Sequence, residues 1–198
     1  MKRILTAVVV AALALALAAC TGPNDDLAAD YKSGSNQGFI SGDGRVVQIP
    51  VAERGESIRF AGTAIDGSAV SDADFAGDVL VLNFWYAGCG PCRIEAPLLE
   101  ETYGQVAPDG AHFLGINIYD GPEQATSFEE NYGITYPSLL AGGDVDLKLA
   151  FASYVPLQAV PITLVLDREQ RVAARIVGAV ESSSILKSLV RDAMAEEL

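Results

Sequence analysis

Val79 to Phe84 reads VLVLNF, apolar at every position but one and rich in β-branched and aromatic side chains, which predicts a central strand covered on both faces. Three further runs share that character: Ala111 to Tyr119 around Phe113, Leu114, Ile116 and Ile118, then Ile162 to Leu166, then Val172 to Val177. Helical spacing separates them. Cys92 to Tyr103 carries Ile94, Leu98, Leu99 and Tyr103 as its expected inner stripe, with Pro97 inside the helix as the cause of a kink. That helix would return the chain for Ala111–Tyr119 to lie parallel to Val79–Phe84 in a right-handed crossover. Asp120-Gly121-Pro122-Glu123 reads as a capping box opening a helix to about Tyr132, with Ala125, Phe128 and Tyr132 on one face. A short strand at Tyr136–Leu140 and a short helix at Asp144–Phe151 follow. Ser182 or Ser183 caps a last helix marked by Ile185, Leu186, Leu189, Val190, Ala193 and Met194. Ahead of the central strand, Ile58–Thr63 and Ser68–Val70 flank Asp66-Gly67, a type I′ hairpin signal, and Ser71–Phe75 offers a capped helical turn. Val46–Val51 is an edge-strand candidate because of Pro50.

The N-terminus follows a different pattern. Lys2-Arg3 precedes an apolar stretch from Ile4 to about Ala16 and then Leu17-Ala18-Ala19-Cys20, shorter than the roughly 20 residues of a membrane span. Small residues before a cysteine resemble a lipobox, so residues 1–19 are expected to be a signal peptide. Cys20 then becomes a lipidated N-terminus whose two acyl chains hold the protein on the outer side of a cell membrane. Residues 20–44 are polar and turn-rich, as a tether would be, leaving one domain over 45–198. The formal charge is −13, or −15 without Lys2 and Arg3 (11 basic against 26 acidic residues). Such a balance excludes nucleic acid as a partner and argues against charge-driven docking on anionic lipid.

Candidate chemistry concentrates where the central strand ends. Cys89-Gly90-Pro91-Cys92 follows Trp85-Tyr86-Ala87-Gly88, and Pro91 suits the first turn of a helix, where its missing N–H costs nothing. Cys89 would sit at the helix N-terminus, where free amides and the helix dipole favour a thiolate; Cys92, one turn in, would be more buried. That makes Cys89 a nucleophile toward a disulfide and Cys92 the resolving thiol. A zinc half-site is the chief rival, but a metal needs about four ligands and the chain adds only His112 and the terminal Cys20, so no metal is expected. His112 itself is read as a surface residue at a strand start. A structural disulfide closing so short a loop would restrain the unfolded chain little.

Asn83-Phe84-Trp85 before the pair, Glu95 three residues after Cys92 and Pro97 five after it resemble the thioredoxin superfamily, in its extracytoplasmic TlpA/ResA-like branch. Thioredoxin has an aspartate at the Asn83 position and a tryptophan where Gly88 stands, a change expected to open space beside Cys89. The resemblance implies a three-layer α/β/α thioredoxin-like fold with an N-terminal β extension and a central insert. It identifies Val160-Pro161-Ile162-Thr163 with the family's cis-proline loop, making Val160 and Pro161 substrate-binding residues. It also makes Glu95 an acidic partner of the dithiol; a carboxylate there would raise thiol pKa values and could shuttle a proton. Trp85 and Tyr86 are candidates to line a substrate groove, with core packing an equal reading for Trp85 and Tyr86 the better surface candidate.

The activity implied is protein thiol–disulfide exchange with no cofactor beyond the Cys89–Cys92 couple. Reduction of protein disulfides is the expected direction, as in preparing apocytochrome c cysteines for haem, with electrons from a membrane thiol carrier. An oxidase of exported proteins is the main alternative. A peroxidase would need a Thr or Ser where Tyr86 stands, and a purely binding module is disfavoured by the intact Cys-Gly-Pro-Cys.

Overall fold

The structure is a computed structural model that describes residues 45–156 and 159–196. The expected leader, Cys20 and tether lie outside these residues, as do Leu157 and Gln158. Eight strands and four α-helices are present among the described residues. The strands are β1 (Val46–Gln48), β2 (Ala61–Thr63), β3 (Ala69–Ser71), β4 (Leu80–Trp85), β5 (His112–Asn117), β6 (Ser138–Leu140), β7 (Ile162–Leu166) and β8 (Val172–Val177). The helices are α1 (Gly90–Val106), α2 (Pro122–Tyr132), α3 (Val145–Phe151) and α4 (Ser183–Ala195).

Six strands form one sheet in the order β1-β8-β7-β4-β5-β6. β4 is parallel to β5 and antiparallel to β7, and β5 is parallel to β6. All six residues of β4 are buried, as its unbroken apolar run requires. Leu80, Leu82 and Phe84 enter a core shared with Phe60, Leu147 and Phe151, from the β2–β3 arm and α3. Val81 enters the opposite core with Leu99 and Val106 of α1 and Leu186 and Val190 of α4. These are the layers of a thioredoxin-like α/β/α fold, with the β2–β3 hairpin as the N-terminal extension and α2, β6 and α3 between its halves. The hairpin is bound to the outer edge of β6, where Ile65 N–H donates to Ser138 O at 3.0 Å. β1 takes the opposite edge, the position expected from Pro50.

Several local expectations are corrected. The hairpin turn is not type I′, which needs positive φ at both central residues; Gly67 has φ 87°, and Asp66 is not in that region. Gly67 N–H bonds Ala64 O and Ala64 N–H bonds Ser68 O, which makes a three-residue loop closed by a glycine bulge. α1 buries Cys92, Glu95, Ala96, Leu99, Thr102 and Val106, while Ile94 is 71% exposed and Leu98 only half-buried. Two residues on from Cys92, Ile94 is rotated about 200° round the helix and must face out. Ile185 of α4 is likewise outside the stripe at 44% exposure. Ser182 caps α4, accepting from Ser184 N–H, and the capped turn expected before β4 is present, closed by a capping box of Ser71 with Asp74. A buried ionic knot went unforeseen: Arg54 pairs with Asp167 at 2.8 Å and with both oxygens of Glu196, tying the β7–β8 turn to the end of α4.

Candidate active site

At the carboxyl end of β4 the chain leaves the sheet through Tyr86–Gly88 and enters α1 at Gly90. Cys89 is the N-cap of α1, and Pro91 occupies the first turn as expected. Cys89 and Cys92 are joined in a disulfide, their Cα atoms 5.3 Å apart. The Cys92 amide donates to Cys89 Sγ at 3.1 Å, so when the bond is reduced a free helix amide already points at the sulfur that will carry the charge. Both sulfurs are covered: Cys89 is 3% and Cys92 1% exposed, a smaller contrast than the helix argument anticipates. Trp85, Ala96, Ala125 and Phe128 pack around the pair.

The turn is held from outside by Asp120. Its Oδ2 accepts from Ala87 N–H at 2.5 Å and from Asn117 Nδ2 at 2.9 Å. The expected capping box at this residue is therefore absent, since the N-cap of α2 is Gly121 without a side-chain bond. Its position at the carboxyl end of β5, beside the active turn, was the available signal. Arg93 Nε closes the loop from the other side onto Ala87 O at 2.9 Å. Asp120→Ala is expected to lower the unfolding free energy of the oxidised protein by about 1.5–3 kcal/mol, the worth of a bond to a charged group, as read by urea denaturation.

Glu95 is fully buried rather than solvated. Its Oε1 accepts from Asn83 Nδ2 and its Oε2 from Val180 N–H, each at 2.8 Å, and Asn83 also donates to Thr163 Oγ1 at 3.2 Å. Burial pushes the Glu95 carboxyl up from 4.5 to about 7, against the opposing pull of the Val180 and Asn83 bonds. One helical turn from Cys92 and on the same face, it is poised to change charge near neutrality.

The Val160–Pro161 bond is cis, as the family resemblance implied. Val160 packs onto the cluster containing both cysteines, and Pro161 O accepts from Gly178 N–H at 2.9 Å. Trp85 is not a groove wall: it is 4% exposed and stacks on Phe128 at a ring separation of 4.3 Å, inside the core. Tyr86 is half-buried, 5.9 Å from the ring of the exposed Tyr119. The space expected beside Gly88 holds the Tyr86 ring, which a Cβ there would meet at 3.1 Å. A groove of about 610 Å³ runs from Ala87 and Arg93 along α2 past Glu123, Ser127 and Tyr132. His112 lies far down β5 at its first residue, half-exposed, against Asp78 at 3.2 Å.

A disulfide-forming Cys-x-x-Cys at the N-terminus of α1, on this fold, defines a thiol–disulfide oxidoreductase. The chain belongs to the Redoxin family, which matches residues 49–190, and within the thioredoxin superfamily it is TlpA/ResA-like. It is 34% identical over 120 residues to the thiol:disulfide interchange protein HelX of Rhodobacter capsulatus, covering 60% of this chain and 64% of that protein. To the thiol-disulfide oxidoreductase ResA of Bacillus subtilis it is 24% identical over 135 residues, 68% of this chain and 73% of ResA. Among solved structures, a DsbF homologue from Corynebacterium diphtheriae is similar with a TM-score of 0.68 at 30% identity, covering 80% of this chain and 99% of that one. A secreted thiol-disulfide isomerase from Corynebacterium glutamicum is similar with a TM-score of 0.71 at 28% identity, covering 81% and 100%.

Proposed function

We propose that the protein reduces disulfides in proteins outside the cytoplasm, held to the membrane through a lipid on Cys20. The observation that carries the direction is Glu95, a buried carboxyl one turn beyond Cys92. Ionised, it opposes a thiolate at the pair, weakens the reduced form and so makes the couple a better electron donor. The couple needs no other cofactor. Cys89 attacks the substrate disulfide, a mixed disulfide forms, and Cys92 closes the Cys89–Cys92 bond as the substrate leaves with two thiols. Val160, which packs on the cysteine cluster, Pro161 next to it in the chain, and Tyr86 are the residues proposed to meet the substrate chain. Apocytochrome c cysteines awaiting haem are the example substrate implied by the TlpA/ResA-like resemblance, and a membrane thiol carrier the electron source. Anchoring is supported by the Leu-Ala-Ala-Cys sequence at 17–20, and a place outside the cytoplasm also by the likeness to a secreted isomerase.

Equilibration with glutathione or dithiothreitol tests the direction. The expected potential is nearer the roughly −270 mV of thioredoxin than the roughly −120 mV of the oxidant DsbA. A value above about −150 mV would turn the assignment to an oxidase of exported proteins. Failure of Cys20→Ala to release the protein from the membrane fraction would refute the anchor.

A further inference from the structure

Cys92 must lose a proton before it can resolve a mixed disulfide, yet it is 1% exposed. An internal cavity of about 10 Å³, room for the centre of one water, touches Cys92 and is otherwise lined by Asn83, Tyr136, Ser138 and apolar side chains. Ser138 is itself 2% exposed, and its Oγ fills the space left by the missing Cβ of Gly115, which would lie 2.1 Å from it. Among the described residues neither Ser138 Oγ nor Glu129 Oε1 has a hydrogen-bond partner of ordinary geometry, although both atoms are buried. The two groups are neighbours: burial raises the Glu129 carboxyl above its ordinary value and the Ser138 hydroxyl draws it partly back. Ser138 thus stands between the cavity at Cys92 and a carboxylate whose residue is partly exposed on α2. Glu95 does not line this cavity; its oxygens are turned to Asn83 and Val180.

We propose that the cavity seats one water, oriented by Ser138, which carries the Cys92 proton to Glu129, making Ser138 and Glu129 positioning residues for resolution on a path separate from Glu95. The Cys92 S–H gives its proton to the water as Glu129 accepts one from the chain. The Cys92 sulfur then bonds Cys89 Sγ, the bond from Cys89 to the substrate sulfur breaks, and the substrate leaves as a thiolate that is protonated from solvent. The pair is oxidised by two electrons and the substrate disulfide reduced by two. Around this path α1 contributes Glu95 and Glu100, α2 contributes Glu129, and the segment before β6 contributes Tyr136; β4 contributes the uncharged Asn83 and Trp85. Tyr136 is pushed well above its ordinary value by burial and by those three carboxylates, so it keeps its proton and is no rival acceptor.

The proposal rests on Cys92 being the resolving thiol, and its test separates the two ideas. Reduced full-length protein is mixed with glutathione disulfide, acid-quenched, and the mixed disulfide and the closed pair are quantified by mass across pH 5–9. Glu129→Gln and Ser138→Ala are each expected to slow closure about tenfold at neutral pH, and to converge on the wild-type rate both at the acid end, where Glu129 takes up a proton and can accept no other, and at high pH, where hydroxide serves. The effects of Glu95→Gln and Glu129→Gln on the closure rate, whatever the sign of each, should multiply in the double variant, as two separate paths require. Wild-type closure with unaltered pH profiles in both single variants overturns the relay and leaves the oxidoreductase reading intact. Absence of any closure in the wild type overturns both. If Ser138→Ala does not fold, the partly exposed and isosteric Glu129→Gln decides alone.

Discussion

Replacing Cys92 with alanine is expected to leave Cys89 covalently joined to its substrate proteins, whereas replacing Cys89 should trap almost none. The difference follows from the ends of one helical turn. Cys89 caps α1 with the Cys92 amide aimed at its sulfur, so its thiolate is the one stabilised by unpaired helix amides and the dipole. Cys92 lies inside the turn, walled by Ala96, Phe128 and Trp85, where a thiolate has less to stabilise it. Without Cys92 the mixed disulfide has no internal thiol to break it and persists for uncatalysed exchange, on the order of hours. The cysteine to alanine change keeps the helix, because alanine is the best helix former and the Cys89 cap is untouched. Capture on non-reducing gels measures the outcome. Faster alkylation of Cys92 than of Cys89 in the reduced wild type would reverse the two roles.

What could be read from the sequence was set by distance along the chain. β4 was legible because a strand buried on both faces writes an unbroken apolar run, and the Cys89–Cys92 turn because its cap, proline and partner cysteine are adjacent. The inner stripe of α1 was misread because two of its positions are polar. Thr102 hides its hydroxyl on Leu98 O at 2.7 Å, and Glu95 is satisfied by Asn83 and by Val180, which is 85 residues away. Apolar periodicity then pointed to Ile94, a residue of the exposed face. Asp120 and Arg54 were missed for the same reason: the amide or carboxylate that each one serves comes from a distant segment, and periodicity carries no record of it. Proximity to the pair leaves Trp85 open to either groove or core in the sequence, and the pleat of β4 turns it inward beneath the turn.

Glu95→Gln is expected to change both the pH dependence of stability and the reduction potential. In the folded protein the carboxyl is pushed up from 4.5 to about 7, so between those values the folded state holds a proton that the unfolded state has released. Stability from this group is therefore complete below about pH 4.5 and lost as pH rises through about 7, by about 3 kcal/mol in all at 1.36 kcal/mol per unit. Glutamine cannot titrate, so that slope should vanish from the variant's urea-unfolding profile. Its absolute stability at low pH should be lower. Two donors, Asn83 Nδ2 and Val180 N–H, face this side chain, and an amide has one oxygen to offer them where the carboxyl has two. The slope, not the midpoint at one pH, is therefore the diagnostic. For the redox couple, removing a negative charge one turn from Cys92 stabilises the thiolate by about 1–2 kcal/mol, which lowers the Cys92 pKa by about one unit and raises the potential by about 20–40 mV. The rise should be largest above pH 7, where wild-type Glu95 is ionised, and fade toward pH 5, where it carries a proton. An equal potential difference at both pH values would mean that the substitution acts through packing, and the carboxylate would lose its assigned part in setting the direction of electron flow.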